Sequence, residues 1–149
     1  MNEELRELYQ QVILDHSRKP RHFGELPPPR LHAHGDNPSC GDEVDVFVRL
    51  AEDGRIQEVC FTGQGCAISQ AAASMMTQKV RGLTAAEALA RAEDFRRVVT
   101  GDGEPADADA LGELTLLEGV RHFPQRVKCA MLAWRALSQT LTEAAPTTR

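Results

Sequence analysis

From Glu43 to Leu50 the chain alternates strictly, with Val44, Val46, Val48 and Leu50 on one side and Glu43, Asp45, Phe47 and Arg49 on the other. A period of two is the mark of a half-buried strand, because successive side chains project to opposite faces of a sheet. Glu52, Asp53 and Gly54 then supply turn chemistry and RIQEVCFTG follows as a second strand, so the stretch predicts an antiparallel hairpin. Its apolar face needs a cover, and the flanking segments switch to the period of a helix.

Residues 3–15 set Leu5, Leu8, Tyr9, Val12 and Ile13 on one stripe, with Asn2 as a cap. After GQG, the segment CAISQAAASMMTQKVRG carries Ile68, Ala71, Ala72, Met75, Met76, Lys79 and Val80 on a face of mostly small side chains that can lie against the sheet, and Gly82 ends it. Thr84 and Glu87 spell a capping box for a helix running toward Gly101. GDGEPADADALGE, residues 101–113, reads as a surface excursion, and LTLLEGVRHF as an irregular apolar segment. Pro124 stands at the first turn of a last helix with Val127, Met131, Leu132, Trp134, Leu137 and Leu141, and the tail TEAAPTTR reads as frayed. Between Ser17 and Asp36, Pro20, Pro27, Pro28 and Pro29 exclude regular helix, which leaves a long ordered loop or partly extended arm.

With 149 residues, 42% of them hydrophobic and 26% charged, the expectation is a single globular domain over 1–149. A net charge of -5 and the lack of a basic stripe with interleaved aromatics speak against nucleic acid as a partner. MNEELRELYQQVILDH has no secretory-signal pattern and no stretch reaches the length of a membrane span, so cytoplasm is expected and no membrane. The four cysteines are then read as reduced thiols.

Cys40 stands in NPSCGD, two positions from Asp42, where an extended backbone would project both side chains to one side. Cys66 stands in GQGCAIS, where a glycine-rich turn passes into a helix whose positive end favours a thiolate. Cys129, in RVKCAMLAW, lies near the start of the last helix between Arg126 and Lys128, whose charges should favour the thiolate further. If Cys40, Asp42, Cys66 and Cys129 meet, they form a three-sulfur, one-oxygen set suited to zinc or to iron with sulfide, with Arg126 and Lys128 as charge compensators. A carboxylate is a hard partner for a soft site and suggests a centre meant to open. Cys60, in EVCFTG, reads as an ordinary core thiol. Of the five histidines, His16 and His22 are assigned no metal role, His32 and His34 read as solvated surface and His122 as a histidine that could approach the centre, while Met75 and Met76 read as a core pair. The arm's Arg18, Lys19, Arg21 and Arg30 are either a docking surface for an acidic partner or a solvated loop.

Spacing without a CxxC pair is a weak signal, but NPSCGD, GQGCAIS followed by AAASMM, and RVKCAMLAW together resemble the three cysteine motifs of the U-type iron-sulfur cluster assembly proteins, the NifU N-terminal, IscU and SufU family. LYQQVILDHSRKPRHFG is similar to that family's first helix and following loop, so the likeness spans nearly the whole chain. The resemblance implies an α+β fold in which a small antiparallel sheet of about three strands is covered on one side by helices. It implies that Cys40, Cys66, Cys129 and Asp42 gather at one exposed end. It also implies sulfur received from a pyridoxal-phosphate cysteine desulfurase and, in some branches, assembly of a 2Fe-2S cluster for recipient proteins. In the IscU branch a histidine precedes the last cysteine, where this chain has Lys128, and that branch's Leu-Pro-Pro-Val-Lys stretch is replaced here by HFPQRVK. Lys128, the extra segment between Gly101 and Val120 and the GCAIS spelling resemble the SufU branch, associated with zinc and sulfur transfer. The expectation is therefore a zinc-dependent sulfur acceptor working with a desulfurase rather than alone, with Cys40 as acceptor. A scaffold carrying the cluster on Cys40, Cys66 and Cys129, and a plain zinc-stabilised binding module, are the alternatives.

Overall fold

The computed structural model describes residues 3–144, so the expected Asn2 cap and the end of the TEAAPTTR tail lie outside the described residues. The expected hairpin is present as β2 (Asp42–Leu50) and β3 (Ile56–Gln64), with Val46 opposite Phe61 and Val48 opposite Val59. A third strand, β1 (Leu31–Asn37), pairs antiparallel with the other edge of β2 and gives the order β1-β2-β3. Within the proline-rich arm, then, the last six residues, Leu31 to Asp36, are strand, the partly extended form of the two expected. The sequence hides this because the core-facing positions of β1 are small or polar: Ala33, Gly35 and Asn37. A Cβ added at Gly35 would stand 3.3 Å from Leu132 Cδ1, so the last helix packs too close for a larger side chain there.

The chain enters through α1 (Glu3–Arg18), a turn longer than the sequence pattern suggested. After the sheet come α2 (Ala67–Val80), α3 (Ala85–Thr100), the single turn α4 (Ala108–Leu111), a 3-10 helix (Gly112–His122) and α5 (Pro124–Ala144). The capping box at Thr84 forms in both directions and Gly101 closes α3 in the left-handed conformation, as its sequence predicts. α5 packs on β1 and β2, α2 packs on β3 and α5, and α1 and α3 pack outside these two. The architecture is thus the expected α+β arrangement, with helices on one face of the sheet.

Val46, Val48, Val59 and Phe61 from the sheet meet Met76, Phe95, Trp134 and Leu137 from the helices in one hydrophobic core. α2 is buried at every residue from Ala71 to Thr77, because sheet and helices enclose it on all sides, so its small side chains serve close approach all round rather than on one face. The excursion is also better anchored than its composition suggests. Asp94 of α3, buried, accepts the backbone N–H groups of Ala106 and Asp107 at 2.9 and 3.2 Å, and Leu111, Leu114, Leu117 and Val120 reach the core. Phe47, which alternation assigns to the polar face, is buried there under a stacked His32 ring and the Arg30 guanidinium.

Candidate metal centre

One end of the sheet collects the cysteine motifs. The backbone N–H groups of Cys40 and Gly41 both donate to the Asn37 carbonyl, at 3.1 and 2.9 Å, and close the β1–β2 connection. Gly41 takes a φ of 73°, which an L side chain rarely adopts. Cys40 and Asp42 therefore approach each other through a left-handed turn, not through the extended geometry expected from their spacing.

Asp42 opens β2 with its side chain toward the core and is only 1% exposed. Its Oδ1 accepts the backbone N–H of Cys66 at 2.9 Å, and Ser69 Oγ donates to the same oxygen at 3.4 Å. This joins the start of α2 to the start of β2. Asp42 Oδ2 is buried without a hydrogen-bond partner. A buried polar atom left unpaired costs on the order of 1–3 kcal/mol, more if charged, so this oxygen is a ready acceptor for a cation.

Cys66 is the N-cap residue of α2, half-exposed at the positive end of the helix. Cys129 is fully buried one turn into α5, where Asn37 Nδ2 donates to its sulfur at 3.7 Å and its thiol reaches the Gln125 carbonyl at 3.5 Å. The ligand atoms of Cys40, Asp42 and Cys129 lie within 4.8 Å of one another. Cys66 adjoins this trio as a neighbour acting on the Cys129 thiol, and Arg126 stands beside Cys66.

Electrostatics in this pocket run against the sequence expectation for Cys129. Burial pushes its thiol far up, and Asp42, Cys40 and Cys66 push in the same direction. Arg126 and Lys128 are exposed and do not outweigh them. Arg126 serves Cys66 first: that hydrogen bond, then attraction to Cys66, Cys129 and Cys40, raises the guanidinium's own pKa. Several acidic groups thus share a poorly solvated space, and the Cys129 sulfur keeps its proton unless a cation replaces it. The donor set, thiols with one carboxylate oxygen lacking a partner, fits a divalent metal ion.

Cys60 is not the core thiol expected: it lies mid-strand in β3 opposite Phe47, half-buried on the face turned away from the helices, with its thiol raised by burial, and takes no part in the centre. His16 is buried, with Nδ1 2.7 Å from Ser74 Oγ, and His22 Nδ1 lies 3.0 Å from Thr77 Oγ1. His122 is exposed at the end of the 3-10 helix, and Met75 and Met76 are core. Sequence reasoning missed Asn37, which bonds the Cys129 sulfur, and Gly65, whose missing side chain makes room for Asp42 and Ser69. Asn-Pro and Gly-Gln-Gly read first as turn chemistry, and that reading masked both roles.

Residues 8–142 match the family model described as NifU-like N terminal domain. A relative from Streptococcus pyogenes serotype M1 named iron-sulfur cluster assembly scaffold protein IscU is 44% identical over 95% of this chain and 87% of its own length. One from Bacillus subtilis named zinc-dependent sulfurtransferase SufU is 40% identical over 93% of this chain and 92% of its own. The two names straddle the branches that the resemblance distinguishes. A crystal structure from thermophilic Fervidobacterium Islandicum AW-1, described as an iron-sulfur cluster assembly scaffold for the SUF system, superimposes with a TM-score of 0.83. Its sequence is 32% identical, and the match covers 91% of this chain and 97% of that one.

Proposed function

Because this chain belongs to the NifU-like N-terminal domain family, we propose that it serves iron-sulfur cluster assembly as a zinc-holding sulfur acceptor. Its sulfur comes from a pyridoxal-phosphate cysteine desulfurase and goes to recipient scaffolds or apo-proteins. The observation that carries this reading is the meeting of Cys40, Asp42 and Cys129 within 4.8 Å around a buried carboxylate oxygen that has no donor. Cys40, Asp42, Cys66 and Cys129 are the residues that would hold the ion, with the whole chain acting as one domain. A zinc ion held there would keep its thiolate ligands deprotonated at neutral pH, and the carboxylate would make the shell easier to exchange than an all-thiolate one.

The acceptor is Cys40. Cys129 is fully buried, and the Cys66 backbone is fixed at the start of α2 by its N–H bond to Asp42, with Arg126 beside its sulfur, whereas Cys40, half-exposed as Cys66 is, stands in the β1–β2 turn next to Gly41. Its thiolate attacks the terminal sulfur of the donor persulfide. The new S–S bond forms on Cys40, the donor's S–S bond breaks, and the electron pair leaves with the desulfurase cysteine as a thiolate, so no external oxidant is needed. Such chemistry wants reduced cysteines, which suits a cytoplasmic location. Among the described residues no helix is long and apolar enough to cross a membrane.

A second reading, the cluster-bearing scaffold, is favoured by the name of the Streptococcus pyogenes relative; in it Cys40, Cys66 and Cys129 hold a 2Fe-2S cargo. Metal and sulfide analysis of anaerobically purified protein separates the two, because zinc without sulfide is expected for the acceptor. Cys40→Ala should abolish sulfur uptake from a desulfurase while Cys60→Ala retains it, and full uptake by Cys40→Ala overturns the assignment.

A further inference from the structure

The solvent face of the sheet, opposite α2 and α5, carries a second set of ligand-type side chains. β1 and β2 pair Asp36 with Glu43, His34 with Asp45 and His32 with Phe47, and alternation sends all six to this face. Asp45 Oδ1 lies 2.7 Å from His32 Nε2 and 3.1 Å from His34 Nδ1, so one carboxylate oxygen is shared by two imidazoles. The His32 ring is held in stacking on Phe47, 4.8 Å between centroids and 12° between planes. Asp36 and Glu43 stand directly opposite each other, a like-charge pairing that costs stability. Gln64 Nε2 donates to Glu43 Oε2 at 3.2 Å, but it carries no charge to offset the pair. The positive groups near this face are Arg30, over the Phe47 ring, and Arg49, paired with Glu58 at 3.0 Å.

We propose that His32, His34 and Asp45 form a second divalent transition-metal site on this face, separate from the cysteine centre, with Asp36 and Glu43 lending negative charge. Bonds of about 2.0–2.2 Å to nitrogen and oxygen in a tetrahedral shell set neighbouring ligand atoms roughly 3.3 Å apart. The two imidazole–carboxylate gaps already have that scale. Without an ion, each gap is bridged by a proton, and the metal takes the place of both. The two ring nitrogens are the remaining pair and stand more than 4.8 Å apart, so the site closes by rotation of His34, which is 50% exposed, while His32 stays stacked on Phe47. Two nitrogens and one oxygen, with no thiolate, suit zinc, ferrous iron or nickel, with water completing the shell. Exposure makes this ion weaker and more exchangeable than one held at the cysteine centre, where Asp42 and Cys129 are buried. The HAH sequence by itself reads as solvated surface; the difference is Asp45, which strand register alone brings to the pair.

The test uses tag-free full-length protein and zinc alone as the probe, with bound zinc counted by equilibrium dialysis. The wild type should hold one more equivalent than His32→Ala/His34→Ala, and Asp45→Asn should weaken that equivalent at least about tenfold. Equal stoichiometry in wild type and the double-histidine variant overturns the site. An Asp45→Asn protein that binds as the wild type does reduces it to a bare histidine pair and overturns the constellation. Because His32 and His34 are exposed, unchanged circular dichroism is expected for these variants. Cys129→Ser read in the same assay reports the cysteine centre separately, so failure of one site is distinguishable from failure of the other.

Discussion

Replacing Gly65 with alanine adds one methyl group beside the cysteine centre. The Gly65 backbone is not in the left-handed region, so the outcome depends on space. The new Cβ would fall inside contact distance of Asp42 Oδ1, 2.7 Å from Ser69 Oγ and 2.9 Å from Asp42 Cγ. Two responses are open. Either Asp42 swings away and gives up the Cys66 N–H, a hydrogen bond to a charged group worth about 1.5–3 kcal/mol, or the start of α2 shifts, an overpacking cost of about 1–3 kcal/mol. The cheaper route sets the loss, so roughly 1–3 kcal/mol is expected, and at about 2–4 °C per kcal/mol for a chain of this size the metal-free protein should melt roughly 2–12 °C lower. The first route displaces Asp42 from Cys40 and Cys129 and the second draws Cys66 away from them, so zinc affinity, measured by competition with a chromophoric chelator, should fall about 10- to 100-fold. A Gly65→Ala protein with wild-type zinc affinity and melting temperature would refute the claim that this glycine exists to seat the carboxylate.

Thr84→Ala removes one arm of the capping box, the bond Glu87 N–H donates to Thr84 Oγ1 at 3.1 Å, and keeps the backbone N–H that makes the 2.9 Å return bond to Glu87; it should cost about 1 kcal/mol in thermal or urea unfolding, with Thr84→Ser close to wild type. His16 is held below its ordinary value of 6.5, first by burial and then by Arg21, against the opposing pull of Glu113 and Asp15. The unfolded chain therefore takes up that proton first, and stability should fall as pH drops below 6.5. His16→Gln should flatten that limb in a pH series of urea midpoints, and an unchanged slope would discard the assignment. Cys60→Ala should leave metal content unchanged, since its sulfur lies on the opposite face of the sheet from Asp42.

Much of this architecture was legible along the chain because local chemistry and tertiary environment agree. The alternation in β2, the capping box at Thr84, the left-handed Gly101 and the proline start of α5 each encode a local conformation that the packing then uses. β1 was legible only as a partly extended arm, because its core positions carry no hydrophobic pattern: Gly35 makes room for Leu132 and Asn37 bonds the Cys129 sulfur across the layer. The Cys129 environment was missed for a related reason. Arg126 and Lys128 are adjacent in sequence, but Asp42, Cys40 and Cys66 are adjacent in space, and with burial they decide its protonation.

The sequence by itself determined which groups exist to bind a cation and that they sit at turns and helix starts, since residue type and local conformation are properties of short segments. Only the tertiary structure decided which of them share a volume: Asn37 against Cys129, the vacant Gly65 side chain beside Asp42, and Asp45 between His32 and His34. Those relations are distances between strands and helices remote in the chain. They are set by register and packing, which no single segment encodes.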